Sequence, residues 1–126
     1  MKKKQILIIH PSFCIRAKKQ VEVLIEKTSY EITIIANTNK NNVRFSEYII
    51  KNTNVIPFNF HKNIFSRMKF RKMLKKQFSS VDIIHCHNEP NYHVVDAIKV
   101  FSGKIPIIYD IHDLTSKQIK NYCDTA

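Results

Sequence analysis

Two stretches decide the fold: residues 81–90, which read VDIIHCHNEP, and residues 105–114, which read IPIIYDIHDL. Each begins with a short apolar run that is typical of a buried β-strand, and each ends in histidines and carboxylates. In an open parallel sheet, ligands bind beyond the carboxyl ends of the strands, so polar residues that follow two strands mark a working edge. We therefore expect the chemistry of this chain at the ends of these two strands.

The rest of the chain alternates apolar strands with amphipathic helices. Strands are predicted at residues 5–10, 31–36, 54–58, 81–85 and 105–109, and helices at 15–26, 46–51, 63–78 and 90–101. Pro57 cannot donate to a sheet ladder, so the strand at 54–58 is expected at an edge. This alternation predicts an α/β fold: a single incomplete Rossmann-like domain with a mostly parallel sheet and helices on both faces.

The composition allows one hydrophobic core in 126 residues and carries a net charge of +11. Such an excess of positive charge favours anionic partners: nucleic acid, phosphorylated ligands or an anionic membrane surface. No DNA- or RNA-binding module is recognisable, so we expect no nucleic acid partner. The basic helix at 63–78, with its interleaved Phe and Met, could contact an anionic membrane, although most basic helices of this length are solvated faces whose apolar residues pack in the core.

Several classes of protein are excluded. The three cysteines, Cys14, Cys86 and Cys123, are far apart and form no CxxC motif, which argues against a disulfide framework or a thiolate zinc site and favours a reducing, cytoplasmic location. The apolar run at 6–9 is too short for a signal peptide or a membrane span. The turn after the first strand reads HPSFC, and Gly103 is the single glycine, so neither a GxGxxG loop nor a P-loop is present.

The histidines of the first stretch allow two interpretations. Strand alternation puts His85 and His87 on the same side, where they could chelate a metal together with Asp110, as in a small metal-dependent hydrolase. No HExxH spacing fixes such a site, and we expect no metal. The favoured interpretation is that His85 is packed under a loop and that only His87 reaches the cleft.

Six further polar residues are candidate substrate-binding groups: Arg16, Asn88, Glu89, Asp110, His112 and Asp113. The carboxylates and imidazole of DIHD, residues 110–113, could share a proton or hold a sugar hydroxyl, and a structural turn is the alternative. The residues just before Pro90 could instead cap the helix that follows. Arg16 could meet a phosphate at the same edge, although a lone arginine is usually solvated surface.

These residues resemble a known family. The segments DIIHCHNEP at 82–90 and PIIYDIHDL at 106–114, with Pro11, Arg16 and YEITIIA at 30–36, are similar to bacterial GT-B glycosyltransferases of the retaining, family-4-like group. The resemblance covers nearly the whole chain and matches the N-terminal, acceptor-side domain of that family. It implies that His87 is the catalytic contact to the transferred sugar, that Asp110, His112 and Asp113 line the acceptor side, and that no metal or cofactor is needed.

The resemblance further implies that the complete enzyme transfers a sugar from a nucleotide-sugar donor to a glycan or lipid-linked acceptor with retention, in the cytoplasm or peripherally at the inner membrane face. The chain departs from the family in its first loop, where some members have glycines, and in lacking the C-terminal donor-binding domain. We therefore expect residues 1–126 to be the N-terminal domain, inactive unless a second chain supplies the donor-binding half. A truncated product or a non-catalytic partner subunit is the alternative.

Overall fold

Strands and helices alternate through the part of the chain that the computed structural model describes, which is residues 3–11, 13, 15–37, 45–87 and 92–110. The elements are β1 (Gln5–Ile9), α1 (Ile15–Lys27), β2 (Glu31–Ala36), α2 (Glu47–Asn52), β3 (Asn54–Pro57), α3 (Ile64–Gln77), β4 (Ile83–His87), α4 (Tyr92–Phe101) and β5 (Ile107–Asp110). Their order and type follow the prediction from sequence.

The five strands form one sheet in the order β3-β2-β1-β4-β5, and every neighbouring pair is parallel. The chain runs outward from β1 to β3, crosses back to β4, and then runs outward to β5. The direction therefore reverses between β1 and β4, which is the place where open α/β sheets form their ligand crevice. The predicted Rossmann-like α/β class is confirmed, and β3 with Pro57 lies at an edge as expected.

Each face of the sheet packs against its own pair of helices, because alternate side chains of a strand point to opposite faces. One face packs against α1 and α2 through Ile6, Ile8, Phe13, Ala17, Val21, Ile32, Ile34, Ala36, Phe45 and Ile49. The other packs against α3 and α4 through Leu7, Ile9, Ile35, Phe70, Leu74, Phe78, Val81, Ile84, Cys86, Val94, Ala97, Val100 and Phe101. Burial on both faces is why β1 and β2 read as continuous apolar runs.

An ion cluster around one buried carboxylate joins α3 to α4. Asp96 has a side chain that is 1% exposed, and its Oδ1 accepts hydrogen bonds from Arg71 Nε at 2.6 Å and Arg67 Nη2 at 3.1 Å. Arg67 Nε donates to Oδ2 at 3.3 Å. The hydrogen bond to Asp96 raises the pKa of the Arg67 guanidinium. Two of the basic residues of α3 therefore hold the helix in place, since a buried carboxylate is costly unless it is paired.

Local sequence signals set the helix ends. Ser46 Oγ accepts a hydrogen bond from Ile49 N at 3.3 Å, and Asn63 Oδ1 accepts one from Ser66 N at 2.8 Å, so each caps the helix that follows it. Gly103 follows α4 with a φ of +76°, a conformation that glycine adopts without a Cβ penalty. These ends lie within a residue or two of the predicted ones.

Two strands lie further along the chain than predicted, and this changes where the polar residues sit. The residues before β4 pair outside the ladder: Asp82 N donates to Gln5 O at 2.9 Å, and Asp82 Oδ2 accepts from Gln5 N at 2.7 Å. At their other ends, β4 ends at His87 and β5 ends at Asp110. Both residues are thus fixed by strand geometry, where the prediction had placed them beyond the strands.

No helix among the described residues is both long enough and apolar enough to cross a bilayer.

Candidate functional site

The candidate site lies at the carboxyl edge of the sheet, on the face that α1 covers. Alternate residues of β4 point to the same face of the sheet, and on one face these are Ile83, His85 and His87. Ile83 packs against the hydrophobic cluster that lies between the sheet and the helices α1 and α2, which identifies the face. His87 lies directly opposite Asp110 in the parallel ladder of β4 and β5. The sequence therefore brings two imidazoles and a carboxylate together through strand alternation and register.

Asp110 lies at the centre of the polar cluster that it forms with His85 and His87. His85 Nε2 lies 3.4 Å from Asp110 Oδ2, and His87 Nδ1 lies 4.0 Å from the same oxygen. Two side chains of α1 approach from above the sheet: Gln20 Nε2 donates to Oδ2 at 3.3 Å, and Arg16 Nη2 lies 3.9 Å from Oδ1. These contacts surround the carboxylate with donors and positive charge.

The surroundings keep Asp110 ionised. Partial burial would raise the pKa of this carboxyl, but the hydrogen bond from Gln20 and the charges of His87, Arg16 and His85 outweigh it, so the pKa lies below its usual value. A carboxylate that stays charged at neutral pH can accept hydrogen bonds from hydroxyl groups or bind a cation. The sequence analysis suggested a phosphate as the partner of Arg16. Among the described residues, the anionic group beside Arg16 is the carboxylate of Asp110.

The imidazoles form a stack. The ring of His87 lies between His10, at a centroid distance of 4.2 Å and an angle of 12°, and His85, at 4.6 Å and 23°. His10 directly follows β1, so the stack bridges the point at which the strand order reverses. His93, in the first turn of α4, places Nε2 2.7 Å from the backbone oxygen of His87. The end of β4 is therefore fixed from both faces of the sheet.

An open pocket of about 440 Å³ lies between α1 and the sheet beside this stack. Its lining residues are Ile8, Ala17, Lys19, Gln20, Val21, Val23, Leu24, His85 and His87. The wall is largely apolar, with the imidazoles and Gln20 as its polar groups. Apolar walls with a few convergent polar groups are typical of small-molecule sites.

One prediction about the histidines is wrong. The sequence favoured a packed His85 with only His87 reaching the cleft, but the side chain of His85 is 21% exposed and that of His87 is 1% exposed. His87 is covered because His10 stacks on one side of its ring and His85 on the other. His85 is therefore the more accessible imidazole of the pair.

The structure brings together the ligands of a metal site that the sequence analysis set aside. One nitrogen of His85, one nitrogen of His87 and a carboxylate oxygen of Asp110 all lie within 4.8 Å of one another, so these three residues could hold a metal ion. Cys86 belongs to the opposite face, and burial raises the pKa of its thiol to about 12, which makes it an unsuitable ligand.

Of the other predicted site residues, Arg16 and Asp110 lie together at this edge. Asn88, Glu89, His112 and Asp113 lie outside the described residues, so their roles stay predictions. The sequence analysis missed three contributors: Gln20, His10 and His93. Gln20 follows Arg16 by four residues on a helix and therefore shares its face, which is a signal that the sequence contains. No sequence pattern indicates the role of His93, because its contact with the backbone oxygen of His87 depends on how α4 packs against the sheet.

Comparison with known proteins identifies the fold. No family model matches this chain, and no curated protein is similar to it in sequence. Among solved structures, a glycosyltransferase from Rickettsia africae is similar with a TM-score of 0.65 and 17% identity, over 97% of this chain and 34% of that one. A short-chain dehydrogenase/reductase from Veillonella parvula, solved with NADP, has a TM-score of 0.60 and 19% identity over 86% of this chain and 47% of that one.

A third similar structure is the C-terminal domain of a hydrogenase from Pyrococcus furiosus, with a TM-score of 0.56 and 12% identity over 88% of this chain and 95% of that one. The chain thus spans less than half the length of the glycosyltransferase and the reductase. At these identities the similarities establish a Rossmann-like fold, one that a glycosyltransferase shares with enzymes of other classes.

Proposed function

We propose that this chain is the acceptor-side domain of a GT-B-type, family-4-like glycosyltransferase. The observation that carries the proposal is the convergence of His85, His87 and Asp110 at the carboxyl edge, beside the point where the strand order reverses. The resemblance of the same segments to that family and the fold shared with the Rickettsia africae glycosyltransferase support it.

The cluster suits the recognition of a sugar. The ionised carboxylate of Asp110 can accept hydrogen bonds from two hydroxyl groups, while the accessible ring of His85 can donate or accept one. Arg16 and Gln20 hold Asp110 in position from α1. His87 is 1% exposed, so it would hold His85 and Asp110 in position rather than contact the reacting sugar itself. These groups are placed to orient an acceptor and to stabilise charge that develops as the sugar leaves its phosphate.

The proposal divides the reaction between two domains. The complete enzyme would transfer a sugar from a nucleotide-sugar donor to a glycan or lipid-linked acceptor with retention, and a donor-binding domain outside these 126 residues would hold the nucleotide. We therefore expect the purified chain to catalyse no sugar transfer from UDP-glucose or GDP-mannose. Measurable transfer by this chain alone would contradict the division.

Binding of simple sugars tests the proposal directly. Methyl α-D-glucopyranoside and methyl α-D-mannopyranoside serve as probes, and the histidine ring signals are followed by NMR during titration. We expect millimolar affinity for at least one probe, about 4 kcal/mol, with the largest shifts at His85. Asp110→Asn should abolish these shifts. Asp82→Asn, at the opposite edge of the sheet, is the matched control and should leave them unchanged.

One observation favours a second candidate function, a small metal-dependent hydrolase. His85, His87 and Asp110 each offer one ligand atom, and these atoms lie within 4.8 Å of one another. Two histidines and a carboxylate are a common ligand set for catalytic zinc, which keeps a fourth position for water. The positively charged guanidinium of Arg16, 3.9 Å from Asp110 Oδ1, would repel a metal cation bound there, and this favours the sugar-binding function. Zinc titration against a chromogenic chelator distinguishes the two functions. Stoichiometric zinc binding that is lost in His85→Ala and kept in the control His61→Ala would favour the hydrolase. The absence of zinc binding would rule the hydrolase out.

A further inference from the structure

The outward face of α3 carries large apolar side chains in its first two turns. Ile64 is 67% exposed, Phe65 81% and Met68 60%. Spacings of three and four residues place Ile64 and Met68 on one line along the helix, and Phe65 projects beside them. Three apolar side chains this exposed, grouped in the first two turns of one helix, make this face a candidate interaction surface.

Lysines continue the same face toward the end of the helix. Lys69, Lys72, Lys75 and Lys76 are all exposed, and none of them forms an ion pair with another residue in the described ranges. The sequence contains no aspartate or glutamate between Glu47 and Asp82, so no carboxylate of this segment offsets their charge. The outward face of α3 is therefore both apolar and strongly positive.

The inward side of α3 is fixed, which holds this face toward solvent. Phe70 and Leu74 are buried in the core, and Arg67 and Arg71 are bonded to Asp96 of α4. Rotating the helix to hide Phe65 would break these contacts. The apolar side chains are thus presented by a rigid element, as a docking surface requires.

We propose that α3 docks on an anionic lipid bilayer, with Ile64, Phe65 and Met68 entering the headgroup region and the lysines contacting the lipid phosphates. A helix with apolar and basic side chains on its outward face matches the chemistry of a bilayer surface, which offers negative charge above an apolar interior. A second copy of the chain would bring two positive faces together. Nucleic acid would satisfy the lysines but leave Phe65 in water. The inference goes beyond sugar transfer and does not depend on it.

Vesicle binding tests the inference. The full chain is mixed with vesicles of phosphatidylcholine alone or with 40% phosphatidylglycerol in about 0.1 M salt, where charges act over roughly 10 Å, and bound protein is separated by flotation. We expect binding to the anionic vesicles only, and weaker binding at higher salt. Phe65→Ser should weaken binding roughly tenfold, because its ring no longer leaves water. The triple change Lys72→Gln, Lys75→Gln and Lys76→Gln should weaken it roughly 100-fold, at about fivefold for each lysine.

Matched control variants test whether binding depends on the outward face of α3, rather than on the net charge of the chain or on any exposed apolar side chain. Ile50→Ser removes an apolar side chain that is 55% exposed on α2, and Lys27→Gln, Lys51→Gln and Lys104→Gln remove the same charge from exposed lysines elsewhere. Both control variants should bind within about twofold to threefold of the unchanged chain, the loss expected from weaker long-range attraction. Equal losses from the two lysine triples, equal binding to neutral vesicles, or no vesicle binding would overturn the proposal. So would a dimer in sedimentation that Phe65→Ser dissociates.

Discussion

Two aspartates of this molecule face arginines, and they do so in opposite ways. Asp96 joins α3 to α4 with a side chain that is 1% exposed and hydrogen bonds of 2.6 to 3.3 Å from Arg67 and Arg71. Asp110 ends β5 with a side chain that is 15% exposed, and its contacts to four side chains span 3.3 to 4.0 Å. The first carboxylate is fully enclosed by its partners, while the second is loosely surrounded.

Because of this difference, we propose a structural role for Asp96 and a ligand-binding role for Asp110. Both oxygens of Asp96 accept hydrogen bonds inside the protein and its side chain is 1% exposed, so a ligand could reach them only by disrupting the packing of α3 and α4. Asp110 keeps its charge and lies beside an open pocket, with partners at distances that a ligand hydroxyl could replace.

The largest effect is expected for Asp96→Ala. Removing this carboxylate leaves the half-buried guanidinium groups of Arg67 and Arg71 without their buried partner and opens a space between α3 and α4. We expect a loss of about 3 kcal/mol in the free energy of unfolding, near the low end for a broken buried ion pair because both arginines still reach water. Urea denaturation followed by circular dichroism measures this. A loss below about 1 kcal/mol would mean that the cluster is not structural.

Asp110→Asn should cost much less stability. The amide keeps the size of the side chain and can still accept a hydrogen bond from Gln20, so we expect a change below about 1 kcal/mol in the same urea experiment. The variant should nevertheless lose sugar binding. If Asp110→Asn destabilised the protein as much as Asp96→Ala, the contrast between the two carboxylates would be wrong.

The pH dependence of stability sharpens the contrast. The pKa of Asp110 is lower in the folded chain than its usual value near about 3.9, so its ionised form stabilises the fold at pH above that value. This contribution is lost as the pH falls through the folded pKa. The stability difference between the unchanged chain and Asp110→Asn should therefore shrink between about pH 4 and pH 2. Parallel stability curves for the two proteins would show that Asp110 has an ordinary pKa.

The smallest effect is expected for Arg16→Gln. Arg16 is largely exposed and lies 3.9 Å from Asp110 Oδ1, a geometry that contributes at most about 0.5 kcal/mol to stability. Removing its positive charge should still raise the pKa of the Asp110 carboxyl, because that charge helps to lower it. Carbon-detected NMR of the Asp110 carboxyl during a pH titration measures the shift. An unchanged pKa would remove Arg16 from the site.

The fold could be predicted from the sequence because strands buried on both faces, such as β1 and β2, read as continuous apolar runs. The common edge of His85, His87 and Asp110 followed from the rule that parallel strands end at the same side. The sequence did not determine which histidine is accessible. That depends on the stacking of His10 from β1 and on the packing of α1 over the sheet, both of which are tertiary contacts.

The role of the basic residues in α3 was also beyond the sequence. In the sequence, Arg67 and Arg71 look the same as the nearby lysines, because all of them alternate with apolar residues along one segment. Only the docking of α4 shows that the two arginines point inward to Asp96, while the lysines stay in solvent. A pattern of charges along the sequence shows that a helix is basic. Which of its basic residues pairs with a carboxylate of another helix is decided by how the two helices pack.

Locating a bound sugar by NMR tests the central claim most directly, since the claim is that the edge around Asp110 is the ligand site of this fold. Intermolecular nuclear Overhauser effects are recorded between saturating methyl α-D-glucopyranoside or methyl α-D-mannopyranoside and the ring protons of the protein. We predict transfer from the sugar to the ring protons of His85, and none to Phe65 on α3. Transfer to Phe65 alone, or none to His85 at saturation, would contradict the account.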